Sequence, residues 1–377
     1  MKTAFVASAL ASVLAVASAN TEEWSSLYVT EAPQYVRPYV LPKENGLSVS
    51  VGQQIYRFSV TGNSSGGAFT LLQTNAPDST ELGVLPHIHK LHHENFYCTK
   101  GRVQLWAKLG DAEQQSRILT QGDYGVVPHN TIHTYQILDP DTQLTGVIQP
   151  GGFEKLFITI GDGSYDSLTG AEYVPAAAAT ASAGAGASSD TISSLTAFDV
   201  HAQLDFTPRH DLVDGMAGSG NWHNGSNTLA KDGFTPNFVA KNYGPKYLNT
   251  ESGYKVIAPL ATGAQTTNNF TMGTITMSPK LFNETAVTTT AKQHLALQLQ
   301  EGELVVTINS ETARLIQGDV VFVPGATPFT YYASVPFTKF LYVSAGGDGF
   351  DAELLAKSIS WDYPMYPAYA GFVASTN

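Results

Sequence analysis

Gly83-Val-Leu-Pro-His87-Ile-His89-Lys-Leu-His92-His93-Glu94-Asn-Phe96-Tyr-Cys98-Thr-Lys-Gly101 decides how the rest of this chain is read. His87 and His89 are two residues apart, so on a strand both imidazoles point to one face. Glu94 opens an apolar run that reads as the next strand and returns a carboxylate towards the same point. Farther on, Gly122-Asp-Tyr-Gly-Val-Val-Pro128 leads to His133, a third imidazole. Three imidazoles and a carboxylate suit a mid-to-late first-row transition metal.

The spacing runs Gly, three residues, His, one, His, four, Glu, six, Gly, followed by Gly122, five residues, Pro128, four, His133. It resembles the paired motifs of the cupin superfamily, small β-barrels that hold a metal inside. Aromatic and β-branched residues between frequent Gly and Pro give an all-β signature. Gln54–Val60, Ala68–Thr74, Val103–Ala107, Arg117–Leu119, Leu144–Ile148 and Phe153–Ile160 read as strands, enough for one closed or sandwich-like barrel. An arm from Asn20 to Pro42 is expected to lie extended against it.

The second half repeats the first. Lys100-Gly-Arg-Val-Gln-Leu-Trp106 is echoed by Glu301-Gly-Glu-Leu-Val-Val-Thr307, and Gly122–Pro128 by Gly318-Asp-Val-Val-Phe-Val-Pro324. The fold expected is all-β: a bicupin of two jelly-roll β-barrel domains. The N-terminal, metal-binding domain spans 20–170, an Ala/Ser/Gly-rich linker 171–200, and the C-terminal domain 201–377. Counting from the matching turns places Thr288, Thr290, Leu295 and Phe329 at the ligand positions of the second copy. None can ligate, so one metal per chain is expected. His294 neighbours the Glu94 equivalent, and alternation points it away from the interior.

Composition narrows the function. A net charge of -12 argues against nucleic acid, which requires basic patches. Met1-Lys-Thr, an apolar run to Val16 and Ala17-Ser-Ala19 read as a signal peptide over 1–19, and hence as a secreted, extracellular protein. That run is short for a membrane span, and no later stretch replaces it. Asn63, Asn224, Asn269 and Asn283 sit in N-glycosylation sequons. Cys98, the single cysteine, excludes an internal disulfide and reads as a buried, inert thiol. His92 and His93 are expected in solvent or behind the ligands.

Four protein ligands often mark a closed structural zinc site. Against that, copper(II), iron(II), manganese or nickel would keep a coordination position open, and a barrel interior is already a pocket. Phe96, Tyr135, Leu144 and Ile148 share faces with the ligands and suit a flat apolar guest.

Pro86–His89, His92, Glu94–Cys98, Gly122–Gly125, Asp139–Thr142 and Pro150–Glu154 resemble fungal quercetin 2,3-dioxygenases (flavonol 2,4-dioxygenases), which are secreted copper bicupins. Val36–Val40, Tyr56–Phe58, Thr74–Pro77 and Gly244–Asn249 extend the likeness over most of the chain. The resemblance implies copper(II), one per chain, in preference to iron, manganese or nickel, held by His87, His89, Glu94 and His133. It implies Glu94 as base towards the flavonol 3-hydroxyl and a pocket of Tyr56, Leu72, Phe96, Tyr135, Leu144 and Ile148. The reaction implied opens the heterocycle of quercetin with O2 to give a depside and carbon monoxide. Flavonol and O2 are the partners; a homodimer stays open, and neither nucleic acid nor membrane is expected. His93 beside Glu94, and Asn130 where a generic cupin has Gly, depart from the pattern. The rival readings are a manganese oxalate decarboxylase or oxidase, a storage-type cupin, and a flavonoid binder without turnover.

Overall fold

The computed structural model describes residues 27–165, 193–363 and 366–367. The expected signal peptide, and the expected linker as far as residue 192, lie outside them. Among the described residues no helix is long and apolar enough to cross a membrane.

Each half of the chain carries two antiparallel sheets. In the first, an eight-stranded sheet includes Gln54–Val60, Thr70–Ala76, Thr142–Gln149, His93–Lys100 and Tyr124–Val127. A six-stranded sheet includes His87–Ile88, Thr131–Ile137, Val103–Leu109 and Gln115–Leu119. Phe96 and Cys98 of one sheet meet Val103, Leu105, Leu119 and Tyr135 of the other in a single buried cluster. The expected barrel is thus two open ladders packed together; burying one apolar face of each on the other needs no ring closure. Cys98 is fully buried in that cluster, and burial pushes its thiol up to about 12.

The repeat is visible in register. Glu94 pairs with Val127 and Leu295 with Val323, each one residue before the matching proline. The turn glycines Gly122 and Gly318 share a φ of 93°, in the left-handed region where glycine costs least. One offset departs from the sequence count: His87 faces His133, but Thr289, not Thr288, faces Phe329. The second interior is packed with rings, Phe350 lying 5.5 Å from Tyr331 and 6.2 Å from both Phe329 and Tyr342.

The halves exchange strands. Tyr39–Leu41, from the expected arm, pairs with Val320–Val323 and so edges a sheet of the second half. His201–Ala202, Met216–Ala217 and Asn237–Val239 instead pair with strands of the first half. Between the halves, Tyr39, Phe69, Tyr97 and Tyr124 pack with Met272, Phe322 and Leu341. Removing such side chains from water supplies most of the cohesion, at ~25 cal/mol per Å² of apolar area.

Phe153–Ile160 is not a strand. Glu154–Ile160 is an α-helix. Phe-Ile-Thr-Ile favours strand by composition, yet Phe153, Leu156, Phe157 and Ile160 fall at helical spacing. All four stand on the wall of the first half's cavity.

Candidate metal centre

His87 and His133 are directly opposed across two strands, and their rings lie 4.2 Å apart. His89 follows on the His87 face, and Glu94 comes in from the other sheet. The four expected ligands converge, with one donor atom from each within 4.8 Å of every other. His87, His89 and His133 are buried and Glu94 is half-buried.

Every imidazole is oriented from behind. Nδ1–H of His87 donates to Leu85 O (2.6 Å), that of His89 to Asp199 O (2.8 Å) and that of His133 to Thr131 O (3.0 Å). A carbonyl only accepts, so each Nδ1 carries the proton and each Nε2 turns its lone pair inward. Nε2 of His87 and His89 are 3.2 Å apart, and Glu94 Oε2 lies 2.9 Å from His133 Nε2 and 3.3 Å from His89 Nε2. Three lone pairs and a carboxylate aimed at one point repel unless a cation, metal or proton, lies among them. Backbone-anchored imidazoles of this kind are how proteins present histidine to a metal.

The electrostatics follow. Burial, with His133 and His89 beside it, pushes His87 well below the usual imidazole value. Burial also lowers His89, but Glu94 outweighs it and the net direction is up. Burial raises Glu94, yet the His133 and His89 rings beside its Oε2 outweigh it and the net direction is well below the usual carboxylate range.

Asp199 is a residue that reading the sequence missed. It falls inside the expected linker, but its carboxylate accepts from the backbone N–H of Lys90, Leu91 and His92 and from His92 Nδ1, at 2.8–3.0 Å. With its carbonyl on His89, Asp199 clamps the whole turn between the ligands. His92 is therefore behind the ligands, as expected. His93 is not: it is buried, with Nε2 3.3 Å from Gln265 O and its ring against Phe270, between the halves. Asn130 takes a φ of 62°, which Asn tolerates, and donates its N–H to His89 O (2.6 Å). His294 lies against Phe322, outside the second interior. Asn63, Asn224, Asn269 and Asn283 are all exposed.

Beside the donors opens a cavity of about 750 Å³, within the range of small-molecule sites. Tyr56, Leu72, Phe96, Tyr135 and Leu144 line it as expected. Ile148 does not reach the wall; it is buried in the cluster of Phe153 and Leu156. Gln54 and Gly83 join the lining instead: Gln54 lies outside the ligand motifs, and Gly83 opens one without a side chain to mark it as a wall residue.

No protein-family model matches the chain. Quercetin 2,3-dioxygenase of Aspergillus japonicus is 49% identical over 348 residues, spanning 91% of this chain and 99% of that protein. The chain belongs to the quercetin 2,3-dioxygenase family. Quercetin 2,3-dioxygenase of Bacillus subtilis (strain 168) is 33% identical over 134 residues, 36% of this chain and 38% of that protein. Among solved structures, the oxalate decarboxylase formate complex of Lactobacillus farciminis superposes with a TM-score of 0.51. At 14% identity, covering 88% of this chain and 90% of that one, it shows the shared bicupin fold alone. Membership in the dioxygenase family, with a buried His/Glu cluster, makes this an enzyme that takes a small molecule and O2.

Proposed function

We propose that the chain is a secreted, copper-dependent quercetin 2,3-dioxygenase. It opens the heterocycle of a flavonol with O2, yielding a depside and carbon monoxide. The observation that carries this reading is the convergence of three inward-facing Nε2 atoms and one carboxylate on the wall of an aromatic cavity. His87, His89, His133 and Glu94 would hold the ion. When bound, copper(II) draws electron density from a flavonolate oxygen and so makes the substrate able to react with O2.

The chain's own residues do the rest. Glu94 Oε2 accepts the proton of the 3-hydroxyl. The His133 and His89 rings at its side hold it well below the usual carboxylate range, so it stands ionised and able to accept. Phe96, Leu72 and Leu144 pack on the substrate rings and exclude water, and the helix bearing Phe153 and Phe157 closes one side. The family likeness favours copper over iron, manganese or nickel. Export after the segment 1–19, glycans on some of the four exposed sequons, and two units joined across 171–200 belong to the same reading.

The test is gas analysis of protein with quercetin under air and under argon, alongside metal content. About one copper per chain, with carbon monoxide released only under air, is expected. Glu94→Gln should cut kcat by about 10²-fold or more while lowering copper content less. Zinc without turnover would mark a structural site and defeat the reading.

A further inference from the structure

Gln54 makes contacts that the reaction above does not use. Its Oε1 accepts from the hydroxyls of Tyr56 (2.9 Å) and Tyr135 (2.6 Å), and those two phenolic oxygens stand 3.1 Å apart. Its Nε2 donates to Gly83 O (2.7 Å). The Gly83 carbonyl only accepts, which fixes the amide end that faces the phenols. Three oxygens therefore form a triangle with every edge at hydrogen-bonding distance. Tyr56 and Tyr135 bring one proton each and Gln54 Oε1 brings none, so two protons face three edges. A phenol carries its proton at neutral pH and can both donate and accept. The triangle is thus one donor short, and on the edge without a proton two oxygens face each other lone pair to lone pair.

Gln54, Tyr56 and Tyr135 are buried in the cavity wall. Tyr135 lies two residues beyond His133 on the same strand face, ~7 Å along it. Phe96 touches both, with ring centroids 6.3 Å from His133 and 6.0 Å from Tyr135. A flavonol held at Glu94 by its 3-hydroxyl therefore extends a ring towards the triangle.

We infer that Gln54 is a positioning residue that turns the Tyr56 and Tyr135 hydroxyls into an acceptor site for a second hydroxyl of the flavonol. The site selects substrates with a ring O–H over those with a bare or methylated ring. The inference rests on the flavonol reading and sharpens it.

The test compares quercetin with 3-hydroxyflavone, which has only the 3-hydroxyl, and with quercetin 5,7,3′,4′-tetramethyl ether, which keeps the oxygens without their protons. KM and kcat are measured for native protein, Gln54→Met and Gln54→Glu. Native protein should favour quercetin by about tenfold, in KM more than in kcat. Gln54→Met should bring that ratio towards one. Gln54→Glu, which keeps an acceptor for both phenols, should restore it. If Gln54→Met does not fold, Tyr135→Phe should lower the ratio in its place. Equal KM values in native protein, or a native ratio in the variants that remove the acceptor or the phenol, would overturn the inference and leave flavonol cleavage standing. Turnover of none of the three by native protein would overturn the flavonol reading, and this inference with it.

Discussion

Nδ1 of His89 and the main-chain oxygen of Asp199 are 2.8 Å apart, joining a ligand to a residue 110 positions away in sequence. The Asp199 side chain meanwhile ties down three consecutive N–H groups of the turn that carries His89 towards Glu94. The residue adopts a φ of 63°, which Asp and Asn tolerate better than most. Asp199→Ala leaves the carbonyl but frees the turn, so His89 loses its fixed aim. Metal affinity should fall about 10–100-fold, the usual consequence of losing an outer partner. Asp199→Asn, with one acceptor oxygen and the same tolerance of positive φ, should lose less. Competition titration with a chelator measures both; equal affinity in native protein and Asp199→Ala would show that the turn holds without the clamp.

Gly83 is required by Tyr135 rather than by its own backbone. A Cβ at Gly83 would sit 2.3 Å from Tyr135 Cε2 and 2.8 Å from Cδ2, closer than carbon atoms approach. Gly83 also donates its N–H to Tyr135 O (2.7 Å) and accepts from Gln54. Gly83→Ala must therefore push the Tyr135 ring off its place in the cavity wall. Metal content should stay at the native level while KM for quercetin rises about tenfold. Loss of metal in parallel with affinity would mean that the displacement reaches His133.

The metal quartet was legible because its spacing is local: alternation along a strand fixes which side chains share a face, and the Gly and Pro turns set the frame. The all-β class and the internal repeat followed from the same signals. Elsewhere, composition misled or distance hid the answer. Phe153–Ile160 carries strand-forming residues in a helical pattern, and burial of Phe153, Leu156 and Phe157 on one face decided for the helix. His93 looked like a turn residue but closes the junction between the halves, where its partner Gln265 is 172 residues away. Asp199 gave no signal because a lone acid after an Ala/Ser/Gly-rich stretch says nothing of the 109 residues it reaches back to Lys90. Nor could local pattern pair Tyr39–Leu41 with Val320–Val323, since a strand's far partner is set by tertiary packing.

Lys255 provides a test of stability away from the metal. Its side chain is buried in the second half, with Nζ donating to the Glu251 carbonyl, and burial lowers its pKa to about 8. The unfolded chain would hold that proton until about pH 10.4. Between about pH 8 and 10.4 unfolding therefore takes up a proton, and stability attributable to this residue rises with pH. Below pH 8 both states are protonated and the full cost of a buried ammonium is present, about 3 kcal/mol at most. Lys255→Met keeps the apolar stem and removes the charge, at the expense of the Glu251 hydrogen bond. Denaturant unfolding should find the variant more stable than native by about 1–2 kcal/mol at pH 7, the gain shrinking towards zero by pH 10. Taking the difference between the two proteins cancels every other titrating group, so a gap that stays constant from pH 7 to 10 would mean that Lys255 is not held at the depressed value.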